Sequence, residues 1–230
     1  MSEIHVSTLD WVLFDADETL FHFDAFAGLQ RLFNQFGFTF NKQDFADYQQ
    51  ANLPLWTAYQ NGEIDAETLQ ITRFEPWAAK LGVQAKALND GFLDAMADVC
   101  KPLPYATELL NSLRGRVKLG IITNGFTRLQ QIRLERTGLA EHFDVLVISE
   151  QVGMAKPARG IFEHAMHKMQ HNKPDTVLMV GDNPHSDVLG GLNAGMHTCW
   201  YNPAGHSAPA DITPHLQVNC HSQLLAHLTR

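Results

Sequence analysis

The stretch Trp11-Val-Leu-Phe-Asp15-Ala-Asp17-Glu-Thr19-Leu-Phe21 limits what this chain can fold into more than any other. Large apolar residues run from Trp11 to Phe14 without polar alternation and stop at two carboxylates spaced two apart. A strand that is apolar on both sides must be covered on both faces, as in a parallel α/β sheet. Ligands bind such sheets at the carboxyl ends of the strands, which is where Asp15 and Asp17 stand. Two carboxylates crowded there repel unless a proton or a cation holds them together, and a divalent metal is the natural cation. Taken alone, Asp-x-Asp is equally compatible with Asp15 capping a turn while Glu18 and Thr19 open a helix.

Three further stretches have the same build. Val117 to Ile122 reads as a strand ending in Thr123-Asn124-Gly125, and Asp144 to Ile148 as another, followed by a loop with Lys156-Pro157. Thr176 to Val180 runs into Gly181-Asp182-Asn183-Pro184-His185-Ser186-Asp187. Each apolar run releases a group suited to phosphate or metal, and helical segments at 107–113, 128–136, 160–169 and 186–193 alternate with the strands, through a last one at Thr198 to Tyr201. A helix at 224–228 closes the chain, and Asn202 to Pro209 reads as a surface loop. Such alternation predicts a doubly wound parallel sheet with right-handed crossovers.

Between residues 22 and 100 no strand candidate occurs. Asp24 is placed to cap a helix carrying Phe26, Leu29, Phe33 and Phe36 up to Gly37, and Asn41 with Asp44 resembles a capping pair for a second. A third segment runs from Pro54 to Asn61-Gly62, Asp65 opens a long helix reaching Gly82, and another spans Leu88 to Val99. The chain therefore reads as an α/β core, 1–21 and 101–230, interrupted by an all-helical insertion at 22–100.

With 17 Lys and Arg against 25 Asp and Glu, the net charge of −8 argues against a broad nucleic-acid or membrane footprint, so an anionic substrate must be bound locally. Cys100, Cys199 and Cys220 form no Cys-x-x-Cys pair, which indicates neither a disulfide framework nor a thiolate zinc site. No basic segment with an apolar signal core opens the chain, and no apolar run approaches the ~20 residues that span a bilayer. A reducing, cytoplasmic setting is expected.

In this order, Asp15-x-Asp17-x-Thr19, Thr123-Asn124-Gly125, Lys156-Pro157 and Gly181-Asp182 with Asp187 resemble the four motifs of the haloacid dehalogenase superfamily of aspartate-nucleophile phosphatases. The resemblance implies a Rossmann-like core with a helical cap that closes over the site and selects substrate. It implies that Asp15 attacks phosphorus and that Asp17 protonates the leaving oxygen and then deprotonates water. It implies an all-oxygen site for Mg²⁺, with Mn²⁺ or Co²⁺ as substitutes, from the Asp15 carboxylate, the Asp17 carbonyl and Asp182, with Asp187 orienting a ligand water. Thr123 and the amides of Asn124 and Gly125 would receive phosphate at a helix N-terminus, and Lys156 would supply fixed positive charge.

Dehalogenases of the superfamily lack the second aspartate, whereas phosphomutases keep it. Phe14 to Phe21, Asn52-Leu-Pro-Leu-Trp56 with Tyr59-Gln-Asn-Gly, and Ile121 to Phe126 with Leu129-Gln-Gln look like the bacterial pyrimidine 5′-nucleotidases. The expected substrate is a small phosphate monoester, a nucleoside monophosphate, with a sugar-phosphate phosphatase or phosphomutase as the alternative. A non-catalytic phosphate-binding module is the alternative of another class. Asn52, Trp56 and Tyr59 share a helix face and are the candidate base contacts, although aromatic residues at this spacing also fill cores.

Two patterns compete for attention. His164, His167 and His171 lie at helical spacing, suited to a transition metal or to a solvated helix face, and the polar residues between them favour the face. Gly190, Gly191 and Gly195 do not directly follow a strand in dinucleotide-binding spacing and read as close helix packing.

Overall fold

The computed structural model describes residues 4–229. Two compact units divide the chain: one takes the residues up to His22, Lys101–Gly125 and the residues from Thr137 on, the other Phe23–Cys100 and Phe126–Arg136.

The first unit is built on six strands, β1 (Trp11–Phe14), β2 (Lys118–Thr123), β3 (Val145–Ile148), β4 (Val177–Gly181), β5 (His197–Tyr201) and β6 (Leu216–Val218). They form one sheet in the order β3-β2-β1-β4-β5-β6, with every pair parallel. β1 is central, and Val12, Leu13 and Phe14 are fully buried, as an unbroken apolar run requires. The expected α/β architecture is therefore present. β6 was not anticipated, because Leu216-Gln-Val alternates exposure at the sheet edge and contains no apolar run.

Between β1 and β2 come α1 (Ala25–Asn34), α2 (Lys42–Gln60), α3 (Ala66–Thr72), α4 (Glu75–Leu81) and α5 (Ala85–Val99), and then α6 (Ala106–Leu113) of the sheet unit. The expected caps form: Asp24, Asn41 and Asp65 each accept a backbone N–H of the first turn, and Asp44 completes a capping box with Asn41. Three expectations are corrected. α1 stops at Asn34, leaving Phe36 39% exposed rather than on the apolar stripe. α2 is one continuous helix through Pro54; Gln50, Leu53 and Pro54 are exposed, so a carbonyl lacking its proline partner can face water. The long helix expected from Asp65 to Gly82 is two, because Pro76 near the start of α4 cannot donate an N–H and crowds the preceding turn.

α7 (Thr127–Thr137) follows β2, and up to Arg136 it groups with the helical unit rather than with the core to which the sequence reading gave it. The physical reason lies in its partners. Arg128 forms a two-pronged ion pair with Asp94, Arg136 pairs with Asp98, and the Phe126 ring lies 5.3 Å from Trp56.

The remaining helices belong to the sheet unit: α8 (Ser149–Val152), α9 (Arg159–Lys168), α10 (Gly190–Asn193) and α11 (His221–Leu228). Ile161, Phe162 and Ala165 of α9 pack with Leu13, Val145 and Val147 of the sheet in one core cluster. Among the described residues no helix is long and apolar enough to cross a membrane.

Candidate active site

Parallel strands point their carboxyl ends the same way, so the motif residues that follow β1, β2 and β4 collect at one edge of the sheet. Strand order reverses there between β1 and β4, and Asp15 and Asp182 stand on the two sides of that switch. Lys156, from the loop after α8, completes the centre.

Lys156 is 1% exposed, and its ammonium makes three short contacts: 2.6 Å to Asp15 Oδ1, 2.7 Å to Asp187 Oδ1 and 2.7 Å to the Ile122 carbonyl. Burial works against that charge, but Asp15 and Asp187 outweigh it and hold Lys156 above its ordinary range. Its backbone is clamped as well. The Asn124 side chain donates to the Lys156 carbonyl at 2.9 Å and accepts from the Lys156 amide at 2.7 Å. Asn124 thus locks the lysine loop onto the loop after β2.

Asp187 accepts from Lys156 and Ser186 on Oδ1 and from the Asn183 amide on Oδ2, so its observed partners are a lysine, a hydroxyl and an amide. Gly181 makes room for it, since a Cβ there would lie 2.2 Å from Asp187 Oδ2. Thr123 is buried, and its Oγ1 accepts the Gly125 amide at 3.0 Å, which turns that N–H into the loop.

Thr19 was part of the first motif but carried no assigned task. Its hydroxyl accepts from the Asp182 amide at 2.9 Å and lies 3.3 Å from Asp182 Oδ1, which ties the first motif to the fourth. Trp200 donates its indole N–H to the Asp182 carbonyl at 2.8 Å. Neither partner lies within ten residues of Asp182, so only the fold reveals them. Glu18, between Asp17 and Thr19, adopts a left-handed conformation with φ of 55°, and its amide donates to the Phe21 carbonyl. This sharp turn presents the half-buried Asp17 two residues beyond Asp15.

Asp15, Asp182 and Asp187 each offer an oxygen within 4.8 Å of the others, the one such group of metal-ligating side chains among the described residues. Burial, chiefly, pushes Asp15 up to about 7; Lys156 opposes it, while Asp187 and Asp17 add to the rise. Burial also pushes Asp182 up to about 8, with the charges of Asp15 and Asp187 contributing. Crowded carboxylates that resist ionisation are a fitting oxygen donor set for a hard divalent cation, which relieves their repulsion.

The chain matches the family model for haloacid dehalogenase-like hydrolases over residues 9–195. It belongs to that family. This hydrolase is 55% identical over 205 residues to the pyrimidine 5′-nucleotidase YjjG of Escherichia coli (strain K12), covering 89% of this chain and 91% of that protein. It is 32% identical over 221 residues to the pyrimidine 5′-nucleotidase PynA of Streptococcus pneumoniae, covering 94% and 93%. Among solved structures it resembles the putative hydrolase YfnB of Bacillus subtilis bound to magnesium, with a TM-score of 0.82, 25% identity and coverage of 96% and 99%.

The three candidate base contacts lie on α2 of the helical unit. Asn52 and Tyr59 are buried, and the Asn52 amide donates to Gln49 at 3.2 Å and accepts from Tyr48 at 3.4 Å. Trp56 is only partly buried and touches the Tyr59 ring at 5.9 Å. Packing accounts for much of Asn52 and Tyr59, and the shared face narrows to Trp56.

The other two patterns resolve structurally. α9 ends at Lys168, so His171 is not on it and instead contacts Thr176 Oγ1 at 2.8 Å, while His164 and His167 are exposed. A Cβ on Gly190 would meet Phe162 at 2.6 Å and one on Gly191 would meet Thr198 at 2.8 Å, which is close packing. Gly195 differs, being a turn residue with φ of +79°.

Proposed function

We propose that this hydrolase is a Mg²⁺-dependent 5′-nucleotidase that removes phosphate from pyrimidine nucleoside monophosphates through an aspartyl-phosphate on Asp15. The observation that supports this reading most is the Asp15 carboxylate held at 2.6 Å by a buried lysine, beside a second acid two residues on. Two relatives that bear the name pyrimidine 5′-nucleotidase support the substrate class.

A phosphate monoester dianion repels an attacking carboxylate, so the site must supply positive charge, an in-line nucleophile and a proton for the leaving oxygen. Lys156 gives a fixed charge that its buried pairing keeps in place. A divalent cation held by Asp15 and Asp182 would neutralise the remaining negative charge. Asp15 forms a bond to phosphorus as the bond to the ester oxygen breaks, and Asp17 donates its proton to the departing alkoxide. Water then attacks phosphorus while Asp17 takes up its proton; inorganic phosphate departs and the Asp15 carboxylate is restored. Thr123 and the loop after it receive the phosphoryl oxygens ahead of α7, where the helix N-terminus favours an anion. Trp56 offers a flat face for the base, worth ~1–3 kcal/mol per stacked base.

The test is phosphate release from a panel of monoesters with Mg²⁺ and after chelation. Pyrimidine deoxynucleoside monophosphates should outcompete hexose phosphates in kcat/KM, and chelation should silence the enzyme until Mg²⁺ is returned. Better turnover of hexose phosphates would reject the nucleotidase reading in favour of a sugar-phosphate phosphatase.

A further inference from the structure

The turn that carries the first motif is held from behind by a histidine that takes no part in the steps of hydrolysis. His221, the first residue of α11, is fully buried and lies against Tyr201 at the end of β5, the two rings stacked with centroids 4.5 Å apart. Its Nε2 stands 2.8 Å from the Thr19 carbonyl and its Nδ1 3.0 Å from the Pro104 carbonyl. All four residues belong to the sheet unit. The turn itself closes locally: the Glu18 amide donates to the Phe21 carbonyl at 2.7 Å, and the Leu20 and Phe21 amides donate to the Ala16 carbonyl at 3.0 and 2.9 Å. The Thr19 hydroxyl is committed to Asp182, while the Thr19 carbonyl meets α11.

A buried polar side chain costs stability unless it is hydrogen-bonded, and the buried Leu224 and Leu228 of α11 show what packing alone selects on that helix. A carbonyl oxygen only accepts, so each contact calls for an N–H on the ring. Burial holds His221 below its ordinary range despite the two carbonyls, so near neutral pH the ring has a single N–H to give. Thr19 is fully buried, whereas Pro104 is exposed and its carbonyl can turn to water. An unmet acceptor costs most where water is absent, which assigns the proton to Nε2.

We propose that His221 is a positioning residue for the hydrolysis: its Nε2–H holds the Thr19 carbonyl and so fixes the turn on which Asp17 stands. Being fully buried, it acts through that turn and not on the substrate. The inference rests on the reading of Asp17 as the proton donor to the leaving oxygen. Thr19 is two residues from Asp17, and a misplacement of about 1 Å at a reacting group costs up to ~10²-fold in rate.

The test uses leaving groups. A nucleotide expels an alkoxide that needs a proton, whereas para-nitrophenolate departs without one. A misplaced acid is therefore felt in kcat/KM for dTMP and little in that for para-nitrophenyl phosphate, while a generally loosened fold is felt in both. Full-length wild type is compared with Asp17→Asn, His221→Asn, His221→Gln and His221→Phe, each below its melting temperature. Asp17→Asn sets the reference and should lose ~10²-fold or more on dTMP, with para-nitrophenyl phosphate much less affected. A glutamine amide reaches about as far as Nε2 and an asparagine amide as far as Nδ1. His221→Asn should therefore lose up to ~10²-fold in kcat/KM on dTMP, selectively, and His221→Gln should recover most of it. His221→Phe keeps a ring against Tyr201 but donates nothing; it should repeat the dTMP-selective loss, and it decides the matter if the asparagine variant does not fold. Equal loss on both substrates, no loss on dTMP, or a loss in His221→Gln as large as in His221→Asn would overturn the assignment. If Asp17→Asn shows the dTMP-selective loss and the histidine variants do not, His221 alone is misassigned; if Asp17→Asn slows both substrates equally, the inference falls together with the reading of Asp17 as the acid.

Discussion

A buried cation of the sheet unit, Lys156, and one of the helical unit, Arg73, are held in opposite ways. Lys156 in the sheet unit has carboxylates on two sides and a carbonyl on a third. Arg73 in the helical unit has rings, an asparagine and a tyrosine. The first arrangement fixes a charge in place through three short contacts. The second leaves a donor over, the Arg73 Nε–H, which is buried without an acceptor among the described residues. Both charges are buried, so the contrast lies in what each is paired with.

The strongest way to break the comparison is Asp15→Asn, which removes both the proposed nucleophile and a charged partner of Lys156. Turnover should fall at least ~10³-fold, the scale on which covalent catalytic units fail when one member is lost, and phosphate release would measure it. Retention of ordinary activity would end the nucleophile assignment.

Lys156→Met should come next. It leaves Asp15 and Asp187 buried and unpaired, and breaking a buried pair in this way costs about 3–5 kcal/mol. Denaturant unfolding should show that loss, against a smaller one of about 1–3 kcal/mol for Arg73→Met, which leaves the buried Asn89 carbonyl without its donor but no charge behind. Equal destabilisation by the two would erase the distinction between paired and ring-held cations.

A third test uses pH. Asp15 and Asp182 have folded-state values near 7 and 8, above their ordinary 3.8, so between those limits the folded protein binds protons that the unfolded chain has released. Stability of the metal-free protein should therefore fall as pH rises from about 4 to about 8. Mg²⁺ should restore more of it at pH 8 than at pH 5, because at pH 5 protons compete for the same oxygens. Melting curves with and without Mg²⁺ would show this; a metal-free stability that rises through pH 7 would contradict it.

The smallest effect belongs to the surface of the helical unit. Burial nudges Asp98 upward, but Arg136 and Arg31 outweigh this and hold it below the usual carboxylate range, so its contribution is lost as pH falls through that range. Asp98→Asn should cost no more than about 1 kcal/mol at neutral pH and leave kcat unchanged.

Much of the sheet unit could be read from sequence because its signal is local. A run such as Trp11 to Phe14 that ends in Asp15 announces both a buried strand and what it delivers. Asp182 was legible for the same reason. The task of Asn124 was not, because its partner is the Lys156 backbone, 32 residues away, and no periodicity encodes a clamp between loops. Thr19 and Trp200 escaped for the same reason. In the helical unit a local signal was present but misjudged twice: Pro54 does not interrupt α2, whereas Pro76 divides the expected long helix. Both prolines are exposed, and what separates them is position: Pro54 sits inside a helix and Pro76 in the first turn of a new one. Arg73 offered only a faint mark, a cation beside Phe74 just ahead of a proline.

The grouping of Phe126–Arg136 with the helical unit bears on how this protein can be recombined with its relatives. A chimera that exchanged only residues 23–100 would keep Arg128 and Arg136 from one parent and take the residues at 94 and 98 from the other. Any mismatch would leave arginines without their acids, and Phe126 would meet a foreign residue at position 56. The exchangeable module is discontinuous, with α7 as its second piece. Drift at 94, 98 or 56 must be matched at 128, 136 or 126, so these positions should change in concert across lineages.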